Sequence, residues 1–290
     1  MENLRDIGSA GGARGRENAD AEADTDARVQ VRVLTVTDLH QSTRLYGQLA
    51  EAVTAHRPDV VAFLGDFLDV PARGTGLLTV EECAVAIAGL DVPEVVLVRG
   101  NHEDWNYLTF AEALKATGRA VTTLHGEEHV RGPMTMVGFP TQLGDETAFT
   151  LQKAPLGTHP GGWLPRLVRR VGPPARTVWL LHEPPSGTPL TVSAGPISGN
   201  PEWSEAILRY TPWLVVFGHD HATPIARGRW HHRVGDTLVV NVGQPHDGVL
   251  HYALIDAEFE DARPSLPGRL TVRAFPWDQV VEAGPGVRAG

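Results

Sequence analysis

Cysteine is almost missing from this chain: Cys83 stands alone among 290 residues. No disulfide can form within the chain, and a reducing cytoplasm is the compartment such usage suits. Long apolar runs are missing too. None approaches the roughly 20 residues that a spanning helix needs, so no membrane association is expected. A basic excess is likewise absent. Lys and Arg total 25 against 35 Asp and Glu, a formal net charge of -10. That balance, with no basic stripe, argues against a general affinity for nucleic acid and against a nuclease. Small anionic substrates stay open, because bound metal ions invert the local field whatever the global charge. Internal repeats are not found.

Residues 1–28 carry no apolar segment of the kind a signal peptide has, and they do not read as a transit peptide. They are rich in Gly, Ala, Asp, Glu and Arg without periodicity, and a mobile tail is expected there. Their alternating Asp20, Glu22, Asp24 and Asp26 read as solvated acids rather than a metal site.

From position 30 onward the pattern changes. Short, mostly Val-rich runs occur at 31–36, 60–64, 95–98, 134–137, 177–181, 213–217, 238–242, 250–255 and 270–275. Each is too short for a buried helix, and strand is the better reading. Between the first three lie segments of helical spacing, one with Leu45, Leu49, Ala52 and Val53, another with Ala84, Val85, Ala88 and a stop at Gly89. Strand-helix-strand alternation predicts parallel strands with right-handed crossovers. After about residue 238 strands follow one another closely, which predicts an antiparallel part. The whole reads as one α/β domain over 29–278 with mixed sheets. Residues 143–174 look like loop with a short helix near 163–171, 195–201 like a surface loop, and 279–290 like a second tail.

The chemistry stands at the strand ends. The runs lead into Asp38-Leu39-His40, Gly65-Asp66-Phe67-Leu68-Asp69, Gly100-Asn101-His102-Glu103, His182 and Gly218-His219-Asp220-His221. Ligands of α/β sheets bind outside the carboxyl ends of the strands. Carboxylates, an amide and imidazoles without thiolate suit hard to borderline divalent ions. Alternation in an extended segment would aim Asp38 and His40 to one side, and likewise His219 and His221. Each piece alone has a plainer explanation, as a hydrogen-bonded histidine, a turn or a helix cap. Five in order, each at a strand end, leave that explanation little room.

These five blocks resemble the ordered signature of the calcineurin-like metallophosphoesterase superfamily, over roughly 32–242. The surroundings of His182 and the run Asn241-Val242-Gly243-Gln244 look similar to small prokaryotic stand-alone members. The resemblance implies a four-layer sandwich, two mixed β-sheets flanked by helices, with the metal site at the C-terminal strand ends. It implies two divalent ions of the Mn, Fe, Zn or Co type. One would be held by Asp38, His40, Asp66 and His221, the other by Asp66, Asn101, His182 and His219, with Asp66 bridging. It implies hydrolysis of phosphodiester or phosphomonoester bonds by in-line attack of a metal-bridging hydroxide. His102 would be the general acid. The expected partner is a small phosphate ester. Residues after Asp69 lack the Asp-Arg-Gly continuation of the superfamily's protein phosphatases, so phosphoproteins are disfavoured. The alternative is a non-catalytic metal-binding scaffold, but no ligand position is missing.

Other residues carry less. Asp69 and Glu103 could orient His102 or a ligand imidazole, or start a helix. Trp105, Asn106 and Tyr107 could line a substrate mouth, though such aromatics usually pack. Arg44 could meet a phosphate, though a solvated helix face is the plainer fate. His125, His129, His231, His232 and His251 have no assigned role, and His246 could border the pocket.

Overall fold

The computed structural model describes residues 29–69, 76–104, 106–124, 126–139, 176–192, 199–260 and 268–284. The tail expected over 1–28, the short helix near 163–171, Trp105 and His125 lie outside them.

Two mixed sheets face each other. The first holds seven strands in the order β13-β12-β11-β1-β2-β3-β4. These are β1 (Val29–Val36), β2 (Val60–Leu64), β3 (Glu94–Val98), β4 (Thr122–Leu124), β11 (Tyr252–Phe259), β12 (Arg269–Phe275) and β13 (Gln279–Ala283). Strands β1 to β4 are parallel, and β11 to β13 continue from β1 antiparallel. The second sheet orders β5 (Glu127–Arg131), β6 (Met134–Phe139), β7 (Thr177–Leu181), β8 (Leu214–Val216), β10 (Thr237–Val240) and β9 (His231–Val234) as β5-β6-β7-β8-β10-β9. Its four middle strands are parallel, with an antiparallel strand at each edge.

The apolar runs are continuous because both faces of each sheet are covered. On β2, Val60, Ala62 and Leu64 enter the core between the sheets, while Val61 and Phe63 face the helices. On β7, Val178 and Leu180 point inward and Trp179 and Leu181 outward. Each such buried side chain contributes roughly 1.5–3 kcal/mol. The outer face of the first sheet is covered by α1 (Thr43–His56), α2 (Val80–Ala88) and α3 (Tyr107–Ala116). That of the second is covered by α4 (Pro201–Tyr210), through Trp203, Ala206 and Ile207. The result is the four-layer sandwich expected. A last short helix, α5 (Thr223–Ala226), follows β8.

Local signals fix the helices. Ser42 caps α1 by accepting from Leu45 N, and Leu45, Tyr46, Leu49, Ala52 and Val53 form its buried stripe. Thr79 and Glu82 form a reciprocal capping box on α2. The buried stripe of α2 is Cys83, Ala84 and Ile87, whereas Val85 stands 62% exposed on the outside.

Three sequence expectations need correction. The tail expected from 279 onward is strand as far as Ala283, because Leu270 to Ala274 of β12 pair with Gln279 to Ala283 in register. The surface loop expected over 195–201 gives way at its end to α4, whose Asn200 cap and Pro201 at the first helical position are start signals. Strands β4, β5 and β13 escaped the apolar pattern because they sit at sheet edges and keep side chains exposed, while the strand or turn expected at His231 and His232 is the half-buried edge strand β9.

Candidate metal centre

The carboxyl ends of β1, β2 and β3 in one sheet, and of β7 and β8 in the other, meet at one rim. The loops there are tied by backbone hydrogen bonds. Asp38 N donates to Gly65 O (3.0 Å), His40 N to Asp66 O (2.9 Å) and Gly218 N to His182 O (3.2 Å). Asp38-Leu39-His40 is not an extended segment, as alternation had suggested. Strand β1 ends at Val36, and Asp38 and His40 adopt left-handed backbone with φ of 56° and 45°. Gln41 (58°), Asp66 (50°) and His219 (67°) do the same. Such conformations cost on the order of 1–3 kcal/mol each and gather where surrounding structure enforces them. The convergence of Asp38 and His40 therefore comes from strained turns rather than from strand pleat.

Three groups of side chains have ligand atoms within 4.8 Å of one another: Asp38 with His40 and His221, His40 with Asp66 and His102, and Asp66 with His182 and His219. His40 Nε2 faces His221 Nε2 at 3.3 Å, and His221 Nε2 lies 3.4 Å from Asp38 Oδ1. On the other side His182 Nε2 lies 2.9 Å from Asn101 Oδ1 and 3.5 Å from Asp66 Oδ2. The opposite nitrogen of His182, Nδ1, sits 2.9 Å from Leu64 O, which fixes the ring with Nε2 turned toward Asn101 and Asp66. All eight site residues read from the sequence are thus brought to one rim.

Supporting groups hold them. Glu103 is fully buried and anchors two loops by accepting from Asp66 N (2.8 Å), Gly100 N (2.6 Å) and Leu68 N (2.8 Å). It orients backbone rather than an imidazole. Asp69 does the orienting: its Oδ1 lies 2.9 Å from His102 Nδ1 and 3.6 Å from His40 Nδ1. Gln41 in turn accepts from Asp69 N at 3.0 Å. Sequence reasoning passed over Asp220 as a spacer. It is buried, and its carboxylate accepts from Thr223 N (3.0 Å) and Val192 N (3.1 Å) between the two flanking histidines. Its position inside the Gly-His-Asp-His block was the available signal. Gly100 and Gly218 are required by space: a Cβ would collide with Asp66 Oδ1 at the first and with Thr37 Oγ1 at the second.

The electrostatics follow from crowding acids and imidazoles in a buried rim. Burial would raise the pKa of Asp66, but His182, His102 and His40 outweigh it, and the carboxylate is held well below its usual range. Burial would lower His182, yet Asp66 and then Asp38 push it up to about 10. His219 goes the other way, to about 4, through burial and the neighbouring His182 charge. Glu103 rises to about 7 through burial and the Asp66 charge. Imidazoles therefore offset part of the carboxylate charge, His182 against Asp66 above all, around a common space.

That space is a cavity of about 790 Å³, lined by the rim and by Ser42, Leu45, Leu77, Gln244 and His246. His246 does border it, with its ring 5.0 Å from that of His221. Tyr107 does not: it packs with the helix-side core, its hydroxyl 2.9 Å from Thr123 Oγ1, and Arg99 stacks over its ring at 4.0 Å. Asn106 ties back to Asp69 O. His129 pairs with Glu94, and His251 hydrogen-bonds Val242 O, both away from the cluster. His231 and His232 lie on edge strand β9.

Two face-to-face mixed sheets with oxygen and imidazole donors gathered at their carboxyl rim define the metallophosphoesterase class. The family described as calcineurin-like phosphoesterase matches residues 31–223, and the chain belongs to that family. No curated protein sequence matches the chain. Among solved structures it is similar to the protein TT1561 of Thermus thermophilus, with 18% identity and a TM-score of 0.54 over 78% of this chain and 94% of that one. It is also similar to GAP50, the anchor in the inner membrane complex of Plasmodium, with 11% identity and a TM-score of 0.51 over 88% of each chain. Both likenesses concern the fold. No helix among the described residues is long and apolar enough to cross a membrane.

Proposed function

We propose that the chain hydrolyses small phosphate esters, diesters or monoesters, with two divalent metal ions held at this rim. The observation that carries the reading is a chain of overlapping donor groups: Asp38, His40 and His221, then His40, Asp66 and His102, then Asp66, His182 and His219, with Asn101 beside His182. The donors fit such ions: they are carboxylate, amide and imidazole only, and the His182 ring is fixed with its Nε2 inward. Asp66 and Asp38 are 1–2% exposed, too buried to serve as solvated surface acids. Bound ions would supply the positive charge that acidifies a water and offsets charge on the phosphoryl oxygens.

The chain's own groups do the rest. Asp69 fixes the His102 ring through Nδ1, and Nε2 is turned into the site, 3.8 Å from Asp66 Oδ2. From there His102 can hand a proton to the departing oxygen. Asp66 N and Gly100 N, both held by Glu103, keep the two loops that carry Asp66, Asn101 and His102 in register. A net charge of -10 supports a small substrate over nucleic acid, and a single buried cysteine fits a reducing cytoplasm. The fold by itself does not decide for turnover, since the similar Plasmodium protein is described as an anchor. A complete donor set and an oriented proton donor are what favour the enzyme.

The test is hydrolysis of bis-p-nitrophenyl phosphate and p-nitrophenyl phosphate by metal-stripped protein, with Mn²⁺, Zn²⁺ or Mg²⁺ restored, beside Asp66→Asn. Turnover that requires metal and is lost in the variant supports the reading. Folded, metal-loaded protein that hydrolyses neither ester would move the assignment to the scaffold.

A further inference from the structure

The loop 244–250 closes one side of the cavity and is held in place by both its own and neighbouring groups. Gln244 donates Nε2 to Val249 O (2.8 Å) and accepts from His251 N (2.9 Å). From α1, Gln48 donates to Gly248 O (2.8 Å) and accepts from Leu250 N (2.8 Å). Leu250 is buried and anchors the end of the loop. A loop fixed in this way costs little further ordering when a ligand binds. At its tip stands His246, exposed at the mouth, its ring 5.0 Å from His221 and 6.2 Å from His40.

A cation lies against the same loop. Arg44, in the first turn of α1, rests against Gly248, where a Cβ would stand 2.9 Å from its Nη1 and 3.2 Å from its Cζ. Gly248 itself lines the cavity. The acid nearest along the loop, Asp247, is turned onto Val249 N at 2.8 Å. Arg44 is exposed and in no ion pair among the described residues, on a chain with ten more acids than bases. Among the described residues no Lys or Arg lines the cavity proper. An inner rim of carboxylates and imidazoles thus has a guanidinium and an imidazole at one edge, beside the half of the rim made by Asp38, His40 and His221.

We propose that Arg44 and His246 form an outer anion subsite, which takes a second oxyanion, a carboxylate or phosphate, of a phosphoester whose reacting phosphate sits at the metal rim. The guanidinium offers paired N–H donors and the imidazole one more, the combination that recognises such groups. The proposal rests on the phosphoesterase reading for the inner site.

Calorimetry on the metal-loaded protein tests it with three probes. Glycerol 3-phosphate carries one anionic group, while 3-phosphoglycerate and 6-phosphogluconate add a carboxylate at short and long reach. At least one two-anion probe should bind about five- to tenfold more tightly than glycerol 3-phosphate. That ratio should fall to within about twofold in Arg44→Gln and His246→Gln and be partly kept in Arg44→Lys. Equal affinity for all three probes, or a preference that survives Arg44→Gln, would overturn the subsite while leaving the inner site standing. Failure of glycerol 3-phosphate itself to bind would reject the inner phosphate site and the subsite with it.

Discussion

His102 and Asp69 behave as one unit at the level of single residues. The ring contributes only if Nε2 points into the rim, and the 2.9 Å contact of Nδ1 with Asp69 fixes that orientation. Replacing His102 by Ala should lower turnover about 10²–10⁴-fold, with metal content unchanged. Asp69→Asn, which keeps the shape and loses the charged acceptor, should give a smaller loss on substrates with poor leaving groups. A His102→Ala enzyme at full rate on such a substrate would show that the proton comes from elsewhere. Glu103 has a different job. It is the buried acceptor for three backbone N–H groups from two loops. Glu103→Ala would leave those donors without their partner, at about 1–3 kcal/mol for each that water does not reach. Denaturant unfolding should therefore show a loss of several kcal/mol, and Glu103→Gln a smaller one. If the alanine variant unfolded at the wild-type midpoint, the anchoring role would be mistaken. The pair was read evenly from the sequence, and only the structure separates a carboxylate that orients a ring from one that binds backbone.

Elements whose two faces are both covered announced themselves in the sequence. β2 and β7 are apolar at nearly every position because helices pack on one side and the other sheet on the other. β5, with Glu127, Glu128 and His129, has no such pattern, since its partner β6 supplies the pairing and solvent takes one face. α4 was legible in principle. Asn200 and Pro201 announce its start, and Trp203, Ala206, Ile207 and Tyr210 repeat at helical spacing, but the turn residues before it drew the reading toward loop. The site blocks were legible because their residue types are unusual at strand ends. The left-handed turns at Asp38, His40 and Asp66 were not, because nothing in the composition distinguishes a strained turn from an extended one. The helix also shows how the second sheet is locked. Trp203 is buried against Phe139 and Trp179, with ring centroids 5.0 and 6.4 Å away, and donates Nε1 to the buried Glu183 at 3.2 Å. Trp203→Ala should cost about 3–5 kcal/mol by chemical denaturation. Trp203→Phe should cost less, since Asn200 still donates to the same carboxylate at 3.1 Å. A near-neutral alanine variant would mean that α4 does not close the sandwich.

At the scale of the whole molecule, the rim is where both sheets are joined and where like charges are concentrated. Asp38, Asp66, Asp69 and Glu103 are all at most 5% exposed and lie within one small region of an already acidic chain. Their histidine neighbours offset part of that charge, as the raised His182 and depressed Asp66 show. The remainder opposes folding until cations are bound. Ions that bind only the folded state stabilise it by about 2.7 kcal/mol per site at a hundred times the dissociation constant. For a domain of this size each kcal/mol corresponds to roughly 2–4 °C in Tm. Filling one site should therefore raise Tm by about 5–10 °C, and the second should add to it. Scanning calorimetry of chelator-treated protein, with Mn²⁺ or Zn²⁺ added back, would measure this. Asp66→Asn is the discriminating control, because Asn also tolerates left-handed backbone and should preserve the φ of 50° at that turn. The variant should fold, show a lower Tm than wild type without metal because His182, His102 and His40 lose the carboxylate that offsets them, and gain little when metal is restored. A wild-type Tm indifferent to chelator and metal, or an equal gain in the variant, would mean that the rim is a neutral hydrogen-bonded network and not a cation site.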